Sequence, residues 1–255
     1  MLALERRNLI LERVHTDGKV IVSQLSKEFE VSEETIRRDL EKLEEEGHVT
    51  KSYGGAVENE KNNIELPFNV RKAANPEGKK RIAELVLSEV EEGDHILLDA
   101  STTAVFIARE LKCLERLTVI TNSIENIVEL SDVKGWDIYS TGGSLNGNTM
   151  ALLGTKAAEG ILSYNADKAF FSCKALSMEK GLTDGNQEIA NIKRIFPEAA
   201  GTVYLAVDHT KFDSVAFSGI CDFSQIDVVI TDRRPSEEWL RFFAQNEVRC
   251  VYPQD

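Results

Sequence analysis

Val31-Ser32-Glu33-Glu34-Thr35-Ile36-Arg37-Arg38-Asp39-Leu40 is the stretch whose reading decides the N-terminal fold. Ser32 carries the short acceptor oxygen that caps a helix, and Glu33 and Glu34 place negative charge beside the helix's positive end. Val31 before the cap and Ile36 at the fourth helical position have the spacing of a hydrophobic staple. Gly47 ends the helix. At ~100° per residue, Leu40 and Leu43 fall within about 40° of Ile36 and form a narrow apolar stripe. Thr35, Arg38 and Lys42 gather roughly opposite, with Arg37 on the flank near Glu41.

The flanks extend this pattern. Residues 3–16 place Leu9, Ile10 and Val14 at a mixed helical period, and Asp17-Gly18 closes that segment. Val20-Ile21-Val22 reads as a short extended piece, with Ser23 the expected N-cap of a second helix carrying Leu25 and Phe29. Residues 48–52 and 55–57 can pair as a hairpin around Tyr53-Gly54-Gly55. Three helices and a hairpin thus make one small unit over residues 1–57. The polar, aperiodic stretch 58–75 reads as a linker. Asn75 before Pro76 is an N-cap with proline at the first helical position, opening a helix expected to reach residue 92.

Beyond Gly93 strands alternate with helices. Strands are expected at 95–99, 117–121, 136–140, 168–173, 203–207, 228–231 and 249–252. Helical stretches lie between most of them, at 104–111, 124–130, 154–162, 187–196 and 236–243. Such alternation predicts a mostly parallel sheet covered on both faces, with any ligand off the carboxyl ends of the strands. Residues 76–255 are therefore read as one larger α/β domain.

Composition bounds the function. The 255 residues are 42% hydrophobic and 29% charged, with a net charge of −13. That excludes indiscriminate coating of nucleic acid or of an anionic membrane and leaves room for a local basic patch. No run of about 18 apolar residues offers a transmembrane helix, and Glu5, Arg6 and Arg7 come too early for a secretory signal. The chain is expected to be soluble and cytoplasmic. Cys113, Cys173, Cys221 and Cys250 are scattered, with no C-x-x-C and no histidine at ligand spacing, so neither metal nor cofactor is expected.

Residues 1–57 hold nine Lys and Arg against twelve Asp and Glu, a net of −3, so placement has to carry any case for nucleic acid. A cationic stripe beside a polar helix start suits a major-groove helix, whose first residues reach base edges while Arg and Lys hold phosphates. A solvated charged face explains the same residues equally well from composition alone. The Thr35-Ile-Arg-Arg-Asp-Leu40 core with Leu43, Gly47 and Tyr53-Gly-Gly-Ala56 resembles the winged helix-turn-helix of DeoR-type bacterial repressors in identity and spacing. The resemblance implies that Ser32, Thr35, Arg37, Arg38 and Lys42 face operator DNA and that the Gly54-Gly55 wing lies near its backbone.

The larger domain shows a strand, a small polar turn and a helix start at Asp99-Ala-Ser-Thr-Thr-Ala104. Backbone N–H groups and hydroxyls there can converge on an anion, although a plain N-cap accounts for the same residues. Thr121-Asn122-Ser123 and Thr141-Gly142-Gly143 also follow strands, so three polar loops can ring one mouth. These stretches, with Asp167–Phe171, Gly181–Asp184 and Asp208–Phe212, resemble the sugar-phosphate sensor domain of the same family. That domain shares its fold with ribose-phosphate isomerases and coenzyme A transferases. The resemblance implies a small N-terminal winged helix-turn-helix joined to a larger Rossmann-like, mostly parallel α/β sensor domain. It further implies a phosphate held by Ser101, Thr102 and Thr103 beside Asp99. The sugar would be read among Asn122, Gly142, Gly143, Lys174, Asp184, Asn186, Glu188 and Lys211. Ala100-Ser101 and Ala175 stand where many members carry glycine.

Two functions compete on this reading. One is a regulator, most simply a repressor of a carbohydrate-catabolism operon, acting as a homodimer or homotetramer controlled by a phosphorylated sugar. The alternative is a sugar-phosphate isomerase with an appended helical domain. An isomerase needs a carboxylate poised as a general base. Ser172-Cys173-Lys174-Ala175 supplies none after the central strand, and Asp184 and Glu188 remain as possible bases with no evident partner, which favours the regulator and no catalytic residues.

Overall fold

The computed structural model describes residues 1–59 and 65–254, and these fall into two compact units, Met1–Ala74 and Asn75–Asp255. The first contains α1 (Ala3–Asp17), β1 (Lys19–Ile21), α2 (Val22–Glu28), α3 (Glu33–Glu45), β2 (Val49–Ser52), β3 (Gly55–Glu58) and α4 (Phe68–Ala73). Ile10, Leu11 and Val14 of α1 meet Leu25 of α2 and the Ile36, Leu40 and Leu43 stripe of α3 in one core. The strands form an antiparallel sheet in the order β1-β3-β2.

Ser23 is not the N-cap of α2, as expected from its side chain. Pairing of Ile21 with Gly55 keeps Ile21 extended, and the Val22 N–H donates to the Gly54 carbonyl at 2.8 Å, so the helix starts directly off the strand. Stretch 58–75 is also not a plain linker. Its polar run at 60–64 lies outside the described residues, but Phe68–Ala73 is helical and Val70 joins the first core.

The second unit opens with α5 (Pro76–Leu87), capped by the Asn75 side chain, which accepts from the Gly78 N–H at 3.2 Å. It continues with β4 (His95–Leu98), α6 (Thr102–Glu110), β5 (Thr118–Thr121), α7 (Ile124–Leu130), β6 (Asp137–Ser140), β7 (Ser144–Asn146), β8 (Ala151–Leu153) and α8 (Thr155–Leu162). Then follow β9 (Ala166–Phe171), β10 (Ala175–Ser177), β11 (Gly181–Asp184), α9 (Gln187–Lys193), β12 (Ala200–Ala206), β13 (Ser218–Gly219), β14 (Val228–Ile230), α10 (Glu237–Gln245) and β15 (Arg249–Val251). Seven strands form a parallel sheet in the order β15-β14-β12-β9-β4-β5-β6.

Alternation along the strands splits the core. Ile96, Leu98, Phe170 and Tyr204 face the layer holding residues of α5 and α6, while Leu97, Ala169, Phe171 and Leu205 face the layer holding residues of α8, α9 and α10. From β4 the chain runs outward through β5 and β6, then returns to β9 on the other flank of β4. The β4–β9 boundary is thus the topological switch, where open α/β sheets leave a crevice at the carboxyl edge.

Helix α5 stops five residues short of expectation, at Ser88, whose hydroxyl donates to the Leu85 carbonyl at 2.7 Å. Helix α9 stops at Lys193, ahead of Pro197, which cannot continue the hydrogen-bond ladder. Two short accessory sheets, β7-β8 and β10-β11-β13, lack the length to show as periodicity in the sequence.

Candidate functional site

On α3, Ile36, Leu40 and Leu43 are buried while Arg37, Arg38 and Lys42 project into solvent. Ser32 caps the helix by accepting from the Thr35 N–H at 3.2 Å, and its hydroxyl lies 2.9 Å from that of Thr35. Arg37 does not turn toward Glu41; it reaches back to Glu33 at 2.6 Å. Arg38 approaches Glu34 at 3.6 Å and Lys42 approaches Glu45 at 3.3 Å. Exposed i,i+3 and i,i+4 pairs hold by only about 0.2–0.5 kcal/mol, so a phosphate can displace these carboxylates. A cleft of about 510 Å³ between the start of α3 and the hairpin is bordered by Arg37, Ser52, Tyr53 and Gly54.

Gly54 and Gly55 serve different ends. Gly54 has φ +82° at the exposed turn with open space around its α-carbon, whereas Gly55 is buried. A Cβ on Gly55 would lie 2.0 Å from the Val20 carbonyl oxygen, so the β1–β3 pairing accounts for that glycine. Asp39 breaks the helix's polar pattern by being buried; its Oδ2 accepts from the Arg6 Nε at 2.5 Å.

In the second unit the switch point is built around Asp99. Its Oδ1 accepts from the Ser101 N–H and its Oδ2 from the Ser172 N–H, each at 3.1 Å, tying the ends of β4 and β9 together. Ser101 caps α6 by accepting from the Ala104 N–H at 3.0 Å. Thr102 and Thr103, both buried, are the first two residues of α6, so their N–H groups belong to the first turn that has no intrahelical acceptor. That is the arrangement in which a helix end receives an anion.

Lys193, from the last turn of α9, enters the same place. Its Nζ donates to Asp184 Oδ2 at 2.7 Å and lies 3.5 Å from Asp99 Oδ2. Burial by itself lowers the pKa of such an ammonium; Asp184 and then Asp99 outweigh it and hold Lys193 charged, above its ordinary value. The neighbouring Cys173 thiol is pushed up to about 12, mainly by burial, so it is inert.

The other expected residues divide by what occupies them. Asn186 caps α9, accepting from the Glu188 N–H at 2.8 Å and the Ile189 N–H at 3.2 Å, and the Glu188 side chain is exposed. Asn122 donates through Nδ2 to the Leu152 carbonyl at 3.1 Å, and its buried Oδ1 has no partner among the described residues. Gly142, at φ +69°, is exposed with open space beside it, while a Cβ on Gly143 would lie 2.5 Å from the Leu153 carbonyl oxygen. Lys174 is half-buried after β9, with its N–H donating to Thr183 at 3.1 Å.

Lys211 follows β12 and faces Asp208. Burial raises the Asp208 pKa, but Lys211 and then Thr210 lower it further, leaving the carboxyl below the usual range. His209 Nδ1 lies 2.9 Å from the buried Asp232, whose other oxygen accepts the His209 N–H at 2.7 Å, as for a loop histidine held in place.

Sequence reasoning missed Lys193, Lys79, Asn126 and the Arg6–Asp39 pair. Lys79 is buried in the first turn of α5 within electrostatic reach of Asp208, and Asn126 Nδ2 donates to the Asp99 carbonyl at 3.0 Å. The available signal for Lys193 was its place four residues after Ile189, on the apolar side of a helix.

Comparison with known proteins follows the same division. Residues 6–62 match the DeoR-like helix-turn-helix domain and residues 74–233 the DeoR C terminal sensor domain. YulB of Bacillus subtilis (strain 168), an uncharacterized HTH-type transcriptional regulator, is 39% identical over 91% of this chain and 90% of its own. The HTH-type transcriptional repressor GlcR of the same organism is 34% identical over 97% and 95%. The L-fucose operon activator of Haemophilus influenzae is 30% identical over 96% and 98%. Among solved structures, ribose 5-phosphate isomerase A from Methanocaldococcus jannaschii is 18% identical over 55% of each chain, with a TM-score of 0.41. The chain belongs to the DeoR family of DNA-binding transcriptional regulators. That family consists of regulators and not of enzymes, which sets the isomerase alternative aside.

Proposed function

We propose that this chain is a cytoplasmic repressor of a carbohydrate-catabolism operon, whose operator affinity is set by a phosphorylated sugar at the carboxyl edge of the parallel sheet. The observation that carries the reading is the buried Ser101-Thr102-Thr103 turn, which opens α6 at the β4–β9 switch. The phosphate is received by the free N–H groups and hydroxyls of that turn. Asn122, Gly142, Lys174, Asp184, Asn186, Glu188 and Lys211 are the candidates for reading the sugar. Gly143 is accounted for by packing. Two copies of α3 engage half-sites related by the two-fold axis of a homodimer, the symmetry that operator recognition by such helices uses. Ser32, Thr35, Arg37, Arg38 and Lys42 face the groove and Gly54 presents the wing, with Gly55 supporting it from within the sheet. Ligand and operator are coupled by the 1–3 kcal/mol typical of such regulators.

Thermal melting of the full chain against sugar phosphates and their parent sugars tests the ligand. A phosphosugar at about a hundred times its Kd adds about 2.7 kcal/mol of apparent stability, and its parent sugar adds nothing. Operator gel shifts with Thr102→Asp, which sets a carboxylate against the phosphate, should show no response to that phosphosugar. A wild-type response in this variant removes the turn from the site.

A further inference from the structure

Lys193 lies buried between two carboxylates, Asp99 and Asp184, at the switch point. Asp99 and Asp184 are sealed, with side chains 1% and 3% exposed, whereas the Lys193 side chain keeps 10%. Both oxygens of Asp99 already accept backbone N–H groups, and Asp184 Oδ1 accepts from the Gly185 N–H at 2.8 Å. The ammonium has three hydrogens. One goes to Asp184, a second faces Asp99 at a distance too long for a strong bond, and among the described residues nothing accepts the third.

Charge decides what can meet that hydrogen. Asp99, Asp184 and Lys193 sum to −1. Across β9, Lys211 and Lys79 act on Asp208, and Asp232 lies beside the first turn of α5, where a Cβ on Gly78 would be 2.7 Å from its Oδ2. The contacting cluster of Asp99, Asp184 and Lys193 thus carries one net negative charge, and a second anion placed against it would be desolvated beside that charge.

We infer that Lys193 is a ligand-contacting, specificity-determining residue: its ammonium donates to an oxygen of an uncharged polyhydroxy chain, and the Asp99–Lys193–Asp184 cluster rejects ligands with a second anionic group. The inference rests on the crevice being the sugar-phosphate site. It narrows the effector to monophosphates of neutral sugars or polyols, against sugar bisphosphates and phosphorylated sugar acids.

Calorimetric titration of the full-length protein tests this with neutral hexose and pentose monophosphates, each beside its bisphosphate and its phosphorylated aldonate, and with inorganic phosphate as the turn probe. At least one neutral monophosphate should bind, and its doubly anionic counterparts at least tenfold more weakly. A bisphosphate or aldonate that binds as tightly overturns the inference and leaves the sugar-phosphate reading standing. If no phosphorylated sugar binds, both fall.

Lys193→Gln should weaken the neutral monophosphate at least tenfold and leave inorganic phosphate binding within twofold, while Lys193→Arg restores part of the loss. Equal weakening of both probes marks a merely structural lysine and overturns the assignment. Asp184→Asn, which brings the cluster to neutrality, guards against a Lys193 variant that fails to fold. It should reduce the discrimination against doubly anionic ligands, and unchanged discrimination overturns the charge argument.

Discussion

The recognition face of α3 and the crevice at the β4–β9 switch are both charged, yet they are built in opposite ways. On α3 each named cation is exposed and answered by a carboxylate one turn away on the same helix: Arg37 by Glu33, Arg38 by Glu34, Lys42 by Glu45. In the crevice the charges are buried, and the ties reach across the sheet, with Asp99 bound to Ser172 seventy-three residues on. Exposed local pairs are weak and exchangeable, as the proposed exchange of these carboxylates for DNA phosphates requires. Buried pairs are costly to break and hold a fixed geometry for a small ligand. On the proposed function, the two regions would separate affinity for a polyanion from selectivity for a metabolite.

The most severe challenge to this contrast is Asp99→Ala. It leaves the Ser101 and Ser172 N–H groups without their acceptor and strips Lys193 of one counter-charge, and the expected loss is about 3–5 kcal/mol of folding stability in urea titration. A loss below about 1 kcal/mol would place Asp99 with the exchangeable charges.

Arg38→Ala is the complementary case. The side chain is 75% exposed, so unfolding should shift by less than about 0.5 kcal/mol. Operator affinity in a gel shift at fixed salt should nevertheless fall by about 1–3 kcal/mol. Unchanged affinity would move the recognition face elsewhere on the unit.

A smaller effect is expected from pH. The Asp208 carboxyl titrates below its unfolded value, so its stabilisation is present above the unfolded value and is lost as pH falls through the folded one, below about pH 4. Melting curves from pH 7 to pH 3 should show a shallower acid limb for Asp208→Asn than for wild type. Superimposable limbs would deny the Lys211 and Thr210 contacts their role. The smallest change is Glu34→Gln, which frees Arg38 at a cost of about 0.3–0.5 kcal/mol to the helix and slightly strengthens operator binding. Weaker binding would show that Glu34 positions Arg38 and does not compete for it.

Legibility in the sequence followed the range of the interactions. The Ser32 cap, the Ile36-Leu40-Leu43 stripe and the Asn75-Pro76 helix start were readable because caps and periods act within one or two turns. The parallel sheet was readable because alternating strands and helices permit few layer arrangements. The polar turn at 101–103 stood out as three small hydroxyl residues after an apolar strand. Lys193 was passed over because a lysine in a short helix looks like a solvated one until its surroundings are known. Gly55 looked like a wing glycine, and only the approach of the Val20 carbonyl shows that the sheet itself demands it.

By itself the sequence determined the class of each domain, the capped amphipathic helix α3 and the strand-end loops, all consequences of short-range caps, hydrophobic period and turn chemistry. Only the tertiary structure decided that Asp39 pairs with Arg6, that α4 packs on α1, that Gly55 is a packing residue and that Lys193 sits between Asp99 and Asp184. The physical reason is that a buried charge is defined by its partner, and which residues become partners is set by chain crossings that no local pattern encodes.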